Sequence, residues 1–291
     1  MATTPILRLA IQKSGRLTDE SLELMRECGI EFNKATGKLK SPAYNFPMEF
    51  LFLRDDDIPE YVSDGVADVG IIGENVLVEM LHKLKQPITI AERLGFSRCR
   101  LSLAVPKGVA YTDVRSLQGK RIATSFPQIL GEYLHEHAVQ ADIHEISGSV
   151  EIAPSIGLAE AICDIVSSGS TLLSNGLVEV ETIFRSEAVL ISRPLSAEKQ
   201  RVLDDMLFRI QSVNRARNTK YIMMNAPNAA VAEISQLLPG MKSPTVTPLA
   251  ESGWSSIQSV VREDQFWEII GKLKAVGAEG ILVIPIEKMV L

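Results

Sequence analysis

The sequence predicts an α/β protein with two lobes around a ligand cleft and a smaller, separate unit at the C-terminal end. Three features predict it. From Ile6 to Val105, apolar runs of strand length alternate with amphipathic helical stretches, the pattern of helices covering a largely parallel sheet. The alternation restarts at Arg121, and after Arg217 its order changes to strand, helix, strand, strand, helix, strand.

In the first stretch, Ile6–Ile11 reads as a strand and Thr18–Cys28 as a helix capped by Thr18 or Asp19, with Gly29 at its exit. Met48–Leu53 is a second strand and Asp56–Ser63 a short helix. Val69–Ile72 is a buried strand that ends at Gly73 and leads into a helix from Glu74 to about Leu84. Strands are expected at Ile88–Arg93 and Leu101–Val105, with a turn at Pro106-Lys107-Gly108 near the lobe boundary.

The second stretch gives a strand at Arg121–Ser125, a helix at Gln128–His137, and strands at Ile143–Ser147 and Ala161–Val166. Val178–Arg185 and Ala188–Ser192 read as strands returning to the first lobe, followed by a long helix over Ala197–Arg217. The expected boundaries are therefore 1–95 with 178–217 for the first lobe, 96–177 for the second and 218–291 for the last unit. In that unit, strands at Tyr221–Asn225, Thr245–Leu249, Ser255–Val261 and Gly280–Ile284 combine with helices at Ala229–Leu237 and Asp264–Lys274. The resulting βαββαβ order is ferredoxin-like. Its polar Asn225 and its loop Lys242–Pro248 form no catalytic constellation, which suits a regulatory or assembly role.

The chain has 291 residues, enough for more than one core, and its 46% hydrophobic and 23% charged usage is that of a globular protein. A net charge of −6 speaks against general nucleic-acid affinity. An acidic protein that handles phosphates would have to do so locally, with a few cations, backbone amides and Mg²⁺. Cys28, Cys99 and Cys163 lie far apart beside apolar residues and read as small reduced core side chains. His135 and His137, two apart on a helix, point to different faces, so a transition-metal site is not expected. Met1–Ile11 carries Arg8 and no signal-peptide core, and no stretch approaches a membrane span. The cytoplasm is the expected compartment.

The stretch that carries function is EIAPSIGLAEAICDIVSSGSTLLSNG, from Glu151 to Gly176. Asp164 sits near the carboxyl end of a strand, and Ser167-Ser168-Gly169-Ser170-Thr171 turns the chain into a helix beginning near Leu172. Gly169 allows close backbone approach, the hydroxyls add donors, and the helix start supplies free N–H groups. Such a loop can hold a phosphate without lysines, and the acidic residue before it suits ribose hydroxyls or Mg²⁺. The same features also describe an ordinary helix cap, and these residues alone leave both readings open. No GxxxxGK[ST] and no GxGxxG occurs.

Glu151, Gly157, Ala159, Ile162, Asp164, Ile165, Ser168, Gly169, Thr171 and Leu172 match the signature of the ATP phosphoribosyltransferases. From average residue usage, a chance match is on the order of 10⁻⁸. QKSGRL (Gln12–Leu17), RDDDIP (Arg54–Pro59), DVGIIGENVL (Asp68–Leu77), CRLSLAVP (Cys99–Pro106) and KRIATS (Lys120–Ser125) resemble that family's catalytic lobes. KYIMMNAP (Lys220–Pro227), SPTVTPL (Ser243–Leu249) and ILVIPIEKM (Ile281–Met289) resemble its C-terminal regulatory domain, which marks the long form.

The resemblance implies a type II periplasmic-binding-protein-like catalytic unit with an ACT-like C-terminal domain. It implies a pentosyltransferase of histidine biosynthesis that joins ATP to phosphoribosyl pyrophosphate with Mg²⁺, inhibited by histidine and assembled as dimers and hexamers. Asp164, Ser167, Ser168, Gly169, Ser170 and Thr171 would hold the sugar donor, with Glu151 supporting that loop. Lys13, Gly15, Arg16, Arg54, Asp55, Asp68, Gly73, Glu74 and Arg100 would serve ATP and pyrophosphate, and Asp164, Lys13 and Arg16 are the catalytic candidates. Mg²⁺ would be held mainly by substrate phosphates, with Asp164 as a candidate ligand. Glu74 reads equally as a helix N-terminal residue, and Arg100 equally as the partner of an acidic neighbour. Asn225, Ser243 and Thr245 would contact histidine, although Asn225 stands where some relatives carry aspartate. The competing reading is a two-lobed solute-binding protein, which shares the lobes but not the phosphoribosyl motif.

Overall fold

The computed structural model describes residues 5–34, 38–238 and 240–291. The first stretch runs β1 (Leu7–Gln12), α1 (Arg16–Glu27), β2 (Lys40–Pro42), β3 (Met48–Leu53), α2 (Ile58–Ser63), β4 (Val69–Gly73), α3 (Glu74–Met80) and β5 (Thr89–Arg93). The second runs β6 (Cys99–Pro106), β7 (Arg121–Thr124), α4 (Pro127–Glu136), β8 (Asp142–Glu145), β9 (Ala161–Val166), α5 (Ser170–Ser174), β10 (Leu177–Ser186) and β11 (Ala188–Ser192). After α6 (Ala197–Arg217) come β12 (Thr219–Pro227), α7 (Val231–Leu237), β13 (Thr245–Pro248), β14 (Trp254–Arg262), α8 (Glu263–Ala275) and β15 (Glu279–Pro285).

The described residues divide into two compact units, one of residues through Arg26 with Ile30–Leu203 and one of Glu27–Gly29 with Asp204–Leu291. The first contains both lobes. Its six-stranded sheet has the order β2-β3-β1-β4-β11-β5. β1 lies between the parallel strands β3 and β4, so Leu7, Leu9, Ala10 and Ile11 are completely buried. Each large apolar side chain buried in this way stabilises the sheet by about 1.5–3 kcal/mol.

α1 starts at Arg16, two residues before the expected cap. Gly15, at φ +112°, turns the chain, and its carbonyl accepts from the N–H groups of Thr18 and Asp19 (3.0 and 3.2 Å). Thr18 then lies inside the helix, where its hydroxyl donates back to the Gln12 carbonyl (2.8 Å). Gly29, at φ +71°, ends the helix as expected.

The five-stranded sheet has the order β10-β6-β9-β7-β8. Here the expected boundary needs correction. β10 does not return to the first lobe; it pairs antiparallel with β6 from Leu177↔Pro106 to Ser186↔Cys99. The return is made by β11, which runs antiparallel to β4 and β5. Leu101, Leu103, Ile122, Leu130 and Leu134 form the core of this lobe, and Val78 of α3 packs against it. One helix of the first lobe therefore rests on the second.

The C-terminal sheet has the order β13-β14-β12-β15, antiparallel throughout, as the βαββαβ reading requires. Ile222, Met224 and Ala226 alternate into a core with Ile257, Ile234 and Leu273, whereas Tyr221, Met223 and Asn225 lie on the opposite face and stay partly exposed. The unit begins earlier than residue 218 because α6 from Asp204 onward belongs to it. Hydrogen bonds from Arg209 to the Cys28 carbonyl (3.2 Å) and from Met289 N–H to the Ser212 carbonyl (2.9 Å) fasten that part of the helix.

Candidate active site

β1, β3 and β4 run parallel in one lobe, and β7, β8 and β9 run parallel in the other. A cleft of about 350 Å³ opens between the carboxyl edges of these strands. Asp56, Asp57, Glu60, Glu79 and Lys83 line it from the first lobe; Ser125, Phe126, Glu145 and Ser147 line it from the second. That is the edge where a sheet of this type presents its ligand groups.

At the carboxyl end of β9, Ala161, Ile162 and Cys163 are sealed in the sheet while Asp164 is half-buried and Ile165 emerges. Gly169 adopts φ +81°, ψ 0°, which a residue with a side chain adopts only under strain. α5 follows from Ser170, two residues earlier than expected. The Ser168 and Ser170 hydroxyls lie 3.0 Å apart, while Ser174 and Asn175 donate to the Ser170 and Thr171 carbonyls (both 2.9 Å). Carbonyls of this short helix are thus satisfied from within. The Ser170 N–H leans on the Ser168 hydroxyl (3.5 Å), while the next amides of this first turn have no intrahelical partner and suit an anion.

Burial lifts the Asp164 carboxyl above the usual carboxylate range. The Ile165 N–H, donating at 2.7 Å, opposes that rise and the charge of Glu151 adds to it. Glu151 is thus the acid whose charge acts on Asp164, and among the described residues no cluster of three or more metal-ligating side chains includes the two. Both are oxygen donors of the kind Mg²⁺ prefers.

Arg100 does not open onto the cleft as a free cation. Its Nε and Nη2 donate to Glu179 (2.5 and 2.6 Å), and its Nη1 reaches the Ser167 carbonyl at 3.2 Å. Of its two sequence readings, acidic partner and phosphate ligand, the first is what the side chain does, and it braces the loop as well. The same contact, followed by that of Ser102, holds the Glu179 carboxyl below its ordinary range.

In the first lobe, Gln12 of β1 pairs with Leu53 of β3, so Lys13 and Arg54 emerge side by side one residue later. The Lys13 N–H donates to the Leu53 carbonyl (2.8 Å), which fixes the loop that carries Gly15 and Arg16. Arg16 is exposed and meets Glu20 at 3.5 Å, a pairing that leaves it free to turn toward a ligand. Asp55 follows Arg54 at the same edge.

Gly73 closes β4 for a packing reason: a Cβ there would lie 2.4 Å from the Asn75 Oδ1. Asn75 is locked to Ser186, which donates to its Oδ1 (2.8 Å) and accepts from its N–H (3.1 Å). Glu74 begins α3 and is held by Arg93 (2.6 Å), which also meets Glu187, so an ion pair occupies its carboxylate.

Asp68 is a correction. It precedes β4 and therefore sits at the amino edge, away from Lys13, Arg54 and Gly73. It is 1% exposed and is saturated by Lys199 Nζ (2.8 and 2.7 Å) and the Arg8 N–H (2.9 Å). Such a group holds the sheet together and offers nothing to a nucleotide. Conversely, Asp56, Asp57 and Glu79 face the cleft without having been expected there. The run of three aspartates is a signal for the first two. Glu79 carries none, since its exposure depends on where α3 packs.

In the C-terminal unit, Asn225 lies opposite Ser256 of β14, which lies opposite Thr247 of β13. Thr245 is two residues from Thr247 and shares its face. Asn225 and Thr245 thus occupy the face opposite the core, on either side of β14, and Ser243 is exposed just before β13.

A family model described as ATP phosphoribosyltransferase matches residues 54–212, and one described as the C-terminal domain of the same family matches residues 216–288. The chain is 64% identical to the ATP phosphoribosyltransferase of Cytophaga hutchinsonii, covering 98% of this chain and 99% of that one. It is 54% identical to that of Phocaeicola vulgatus, covering 98% and 100%. Among solved structures, it is similar to a chain of the ATP phosphoribosyl transferase (HisG:HisZ) complex from Thermotoga maritima, with a TM-score of 0.59 and 29% identity over 71% of this chain and 99% of that chain. A periplasmic sulfonate-binding protein from Methylobacillus flagellatus gives a TM-score of 0.51 at 14% identity, covering 71% and 67%. That likeness is one of fold alone, and it supports the periplasmic-binding-protein-like architecture of the lobes.

Proposed function

This chain belongs to the ATP phosphoribosyltransferase family, and on that premise we propose that it joins ATP to 5-phosphoribosyl 1-pyrophosphate in the first step of histidine biosynthesis. The bond from C1 of the ribose to the pyrophosphate oxygen breaks, and a bond from C1 to adenine N1 forms. The products are N1-(5-phosphoribosyl)-ATP and pyrophosphate. The observation that carries the reading is the loop Ser167–Thr171 at the carboxyl end of β9, with Asp164 half-buried before it.

The loop's amides and hydroxyls take the 5-phosphate, and Asp164 takes the ribose hydroxyls. Arg100 keeps the loop in shape through the Ser167 carbonyl. From the other lobe, Lys13, Arg16 and Arg54, with Gly15 and Asp55 in the same loops, meet the triphosphate and the departing pyrophosphate. No side chain needs to form a covalent intermediate; the two lobes hold C1 and N1 in line. Mg²⁺, when bound, would be held mainly by substrate phosphates and would supply charge neutralisation for the leaving pyrophosphate; Asp164, with the Glu151 charge acting on it, would be the chain's own candidate oxygen donor.

The C-terminal unit binds histidine through Asn225, Ser243 and Thr245 and inhibits the reaction. The amide of Asn225 accepts a hydrogen bond from the ligand's amine without supplying a charge. The chain works in the cytoplasm as a homo-oligomer, a dimer and a hexamer. Among the described residues no helix is long and apolar enough to cross a membrane.

The test is to mix the chain with ATP, Mg²⁺ and phosphoribosyl pyrophosphate and follow the ultraviolet absorbance of the N1 adduct. A rise that depends on all three supports the reading; a flat trace from folded protein refutes it and favours a solute-binding protein. Asp164→Ala and Thr171→Ala should each raise the KM for the sugar donor by about tenfold or more while the fold survives, one charged hydrogen bond being worth about 1.5–3 kcal/mol.

A further inference from the structure

α3 belongs to the first lobe by sequence, yet its outer side is committed to the second. Val78 packs against the second lobe's core. The next residue, Glu79, places its carboxylate on the first amides of α4. Gln128 N–H donates to both carboxylate oxygens (2.9 and 3.2 Å) and Ile129 N–H donates to one of them (3.1 Å). α4 has ten residues and begins with Pro127, which has no N–H, so Gln128 and Ile129 carry the first donors of the helix. A carboxylate there is favoured by both the hydrogen bonds and the helix dipole. Glu79 also lines the interlobe cleft, and the loop after β7 that leads into α4 starts beside the end of β9 that carries Asp164, since Thr124 pairs with Cys163.

We propose that Glu79 is a positioning residue: its carboxylate latches the two lobes together through the α4 N-terminus and so sets the closure at which the donor loop faces the ATP loops. The proposal rests on the assignment of the two substrates to opposite lobes. Although Glu79 borders the cleft, both of its carboxylate oxygens are taken by the Gln128 and Ile129 amides and not by a substrate. The latch acts by raising the population of the closed cleft before binding, so its loss lowers the apparent affinity for both ligands together.

The experiment compares the full chain with Glu79→Ala and Glu79→Gln. In Glu79→Ala, KM for ATP and for phosphoribosyl pyrophosphate should both rise by about tenfold, the factor a lost charged hydrogen bond implies, while kcat at saturation stays within about threefold. Glu79→Gln keeps an acceptor oxygen and should fall between wild type and Glu79→Ala. A second reading needs no activity. Mass-spectrometric hydrogen exchange of the substrate-free chain should show the peptide 126–131 protected in wild type and exchanging about tenfold faster in Glu79→Ala, with the remainder of α4 unchanged. Absence of protection in the wild-type chain overturns the latch whatever the reaction is. Unmoved KM values in Glu79→Ala, or a rise confined to one substrate, overturn the positioning role and leave the catalytic assignment intact, since wild-type turnover decides that separately.

Discussion

Arg100 grips Glu179 with two hydrogen bonds across β6 and β10 and spends a third, at 3.2 Å, on the carbonyl of Ser167. The first residue of the proposed phosphate loop is therefore anchored from beneath by a cation that is itself fixed. The proposed donor loop depends on this pair for its shape, and through Ser102, which donates to Glu179 at 2.8 Å, the anchor is continuous with the sheet.

Arg100→Lys should retain the charge and lose the fork. A lysine cannot hold both Glu179 oxygens and the Ser167 carbonyl in one plane. The expected result is a rise of about tenfold in KM for the sugar donor, at about 1.4 kcal/mol per factor of ten, with little change in KM for ATP. Steady-state kinetics with each substrate varied in turn decides it; equal effects on both would show that Arg100 supports the whole fold rather than the loop.

Asp164 should trade stability for function. Burial and the Glu151 charge raise its folded carboxyl above the unfolded value, so the folded chain binds the proton more tightly than the unfolded chain. The ionised form then costs stability above the folded pKa, and that cost is relieved as pH falls toward the ordinary aspartate range near about 3.9. Asp164→Asn should therefore melt higher than wild type at neutral pH, with the gap closing in acid, while turnover collapses. Thermal melts at neutral and acid pH check it, and a lower melting point at neutral pH would be the contrary result.

Lys199 should matter for folding alone. It neutralises Asp68, which is 1% exposed, and removing one partner of a buried pair typically costs about 3–5 kcal/mol. Lys199 keeps part of its side chain in water, so Lys199→Met should lose about 3 kcal/mol in denaturant melts. KM for ATP should be unchanged in the folded fraction. An ATP-specific defect would return Asp68 to the binding site.

Much of this arrangement is legible from the residues. Alternation of apolar runs locates nearly every strand, and Gly29, Gly169 and the βαββαβ order each fall where their chemistry requires. What escapes depends on long-range pairing. Nothing local in Leu177–Ser186 says that it will pair with Cys99–Pro106 rather than with the first sheet. Arg100 reads equally as a phosphate ligand and as the partner of an acid, and only the arrival of Glu179 from a strand far along the chain decides between them. Asp68 is a different case: a residue just before a parallel strand must lie at the amino edge, so strand direction alone separates it from Lys13 and Arg54. Glu79 is invisible because a helix carboxylate gains its role only when a second helix start is docked against it.

Asn225 offers a gain rather than a loss. It lies on the face of the C-terminal sheet opposite the core, beside Ser256 of β14, and shares that face with Thr245 on the far side of β14. Its amide is neutral, so a bound amino acid would place a protonated amine beside an acceptor without a charge. Asn225→Asp has nearly the same shape and adds the anion, turning a hydrogen bond charged on one side into an ion pair charged on both. Histidine should then inhibit at roughly tenfold lower concentration, about 1.4 kcal/mol of added binding, with kcat and both KM values unchanged in its absence. High salt should erode much of the gain, because the exposed charge is screened. Inhibition curves at low and high ionic strength check both parts. An unchanged inhibition curve would mean that histidine does not meet this side chain and that the effector site lies elsewhere on the chain.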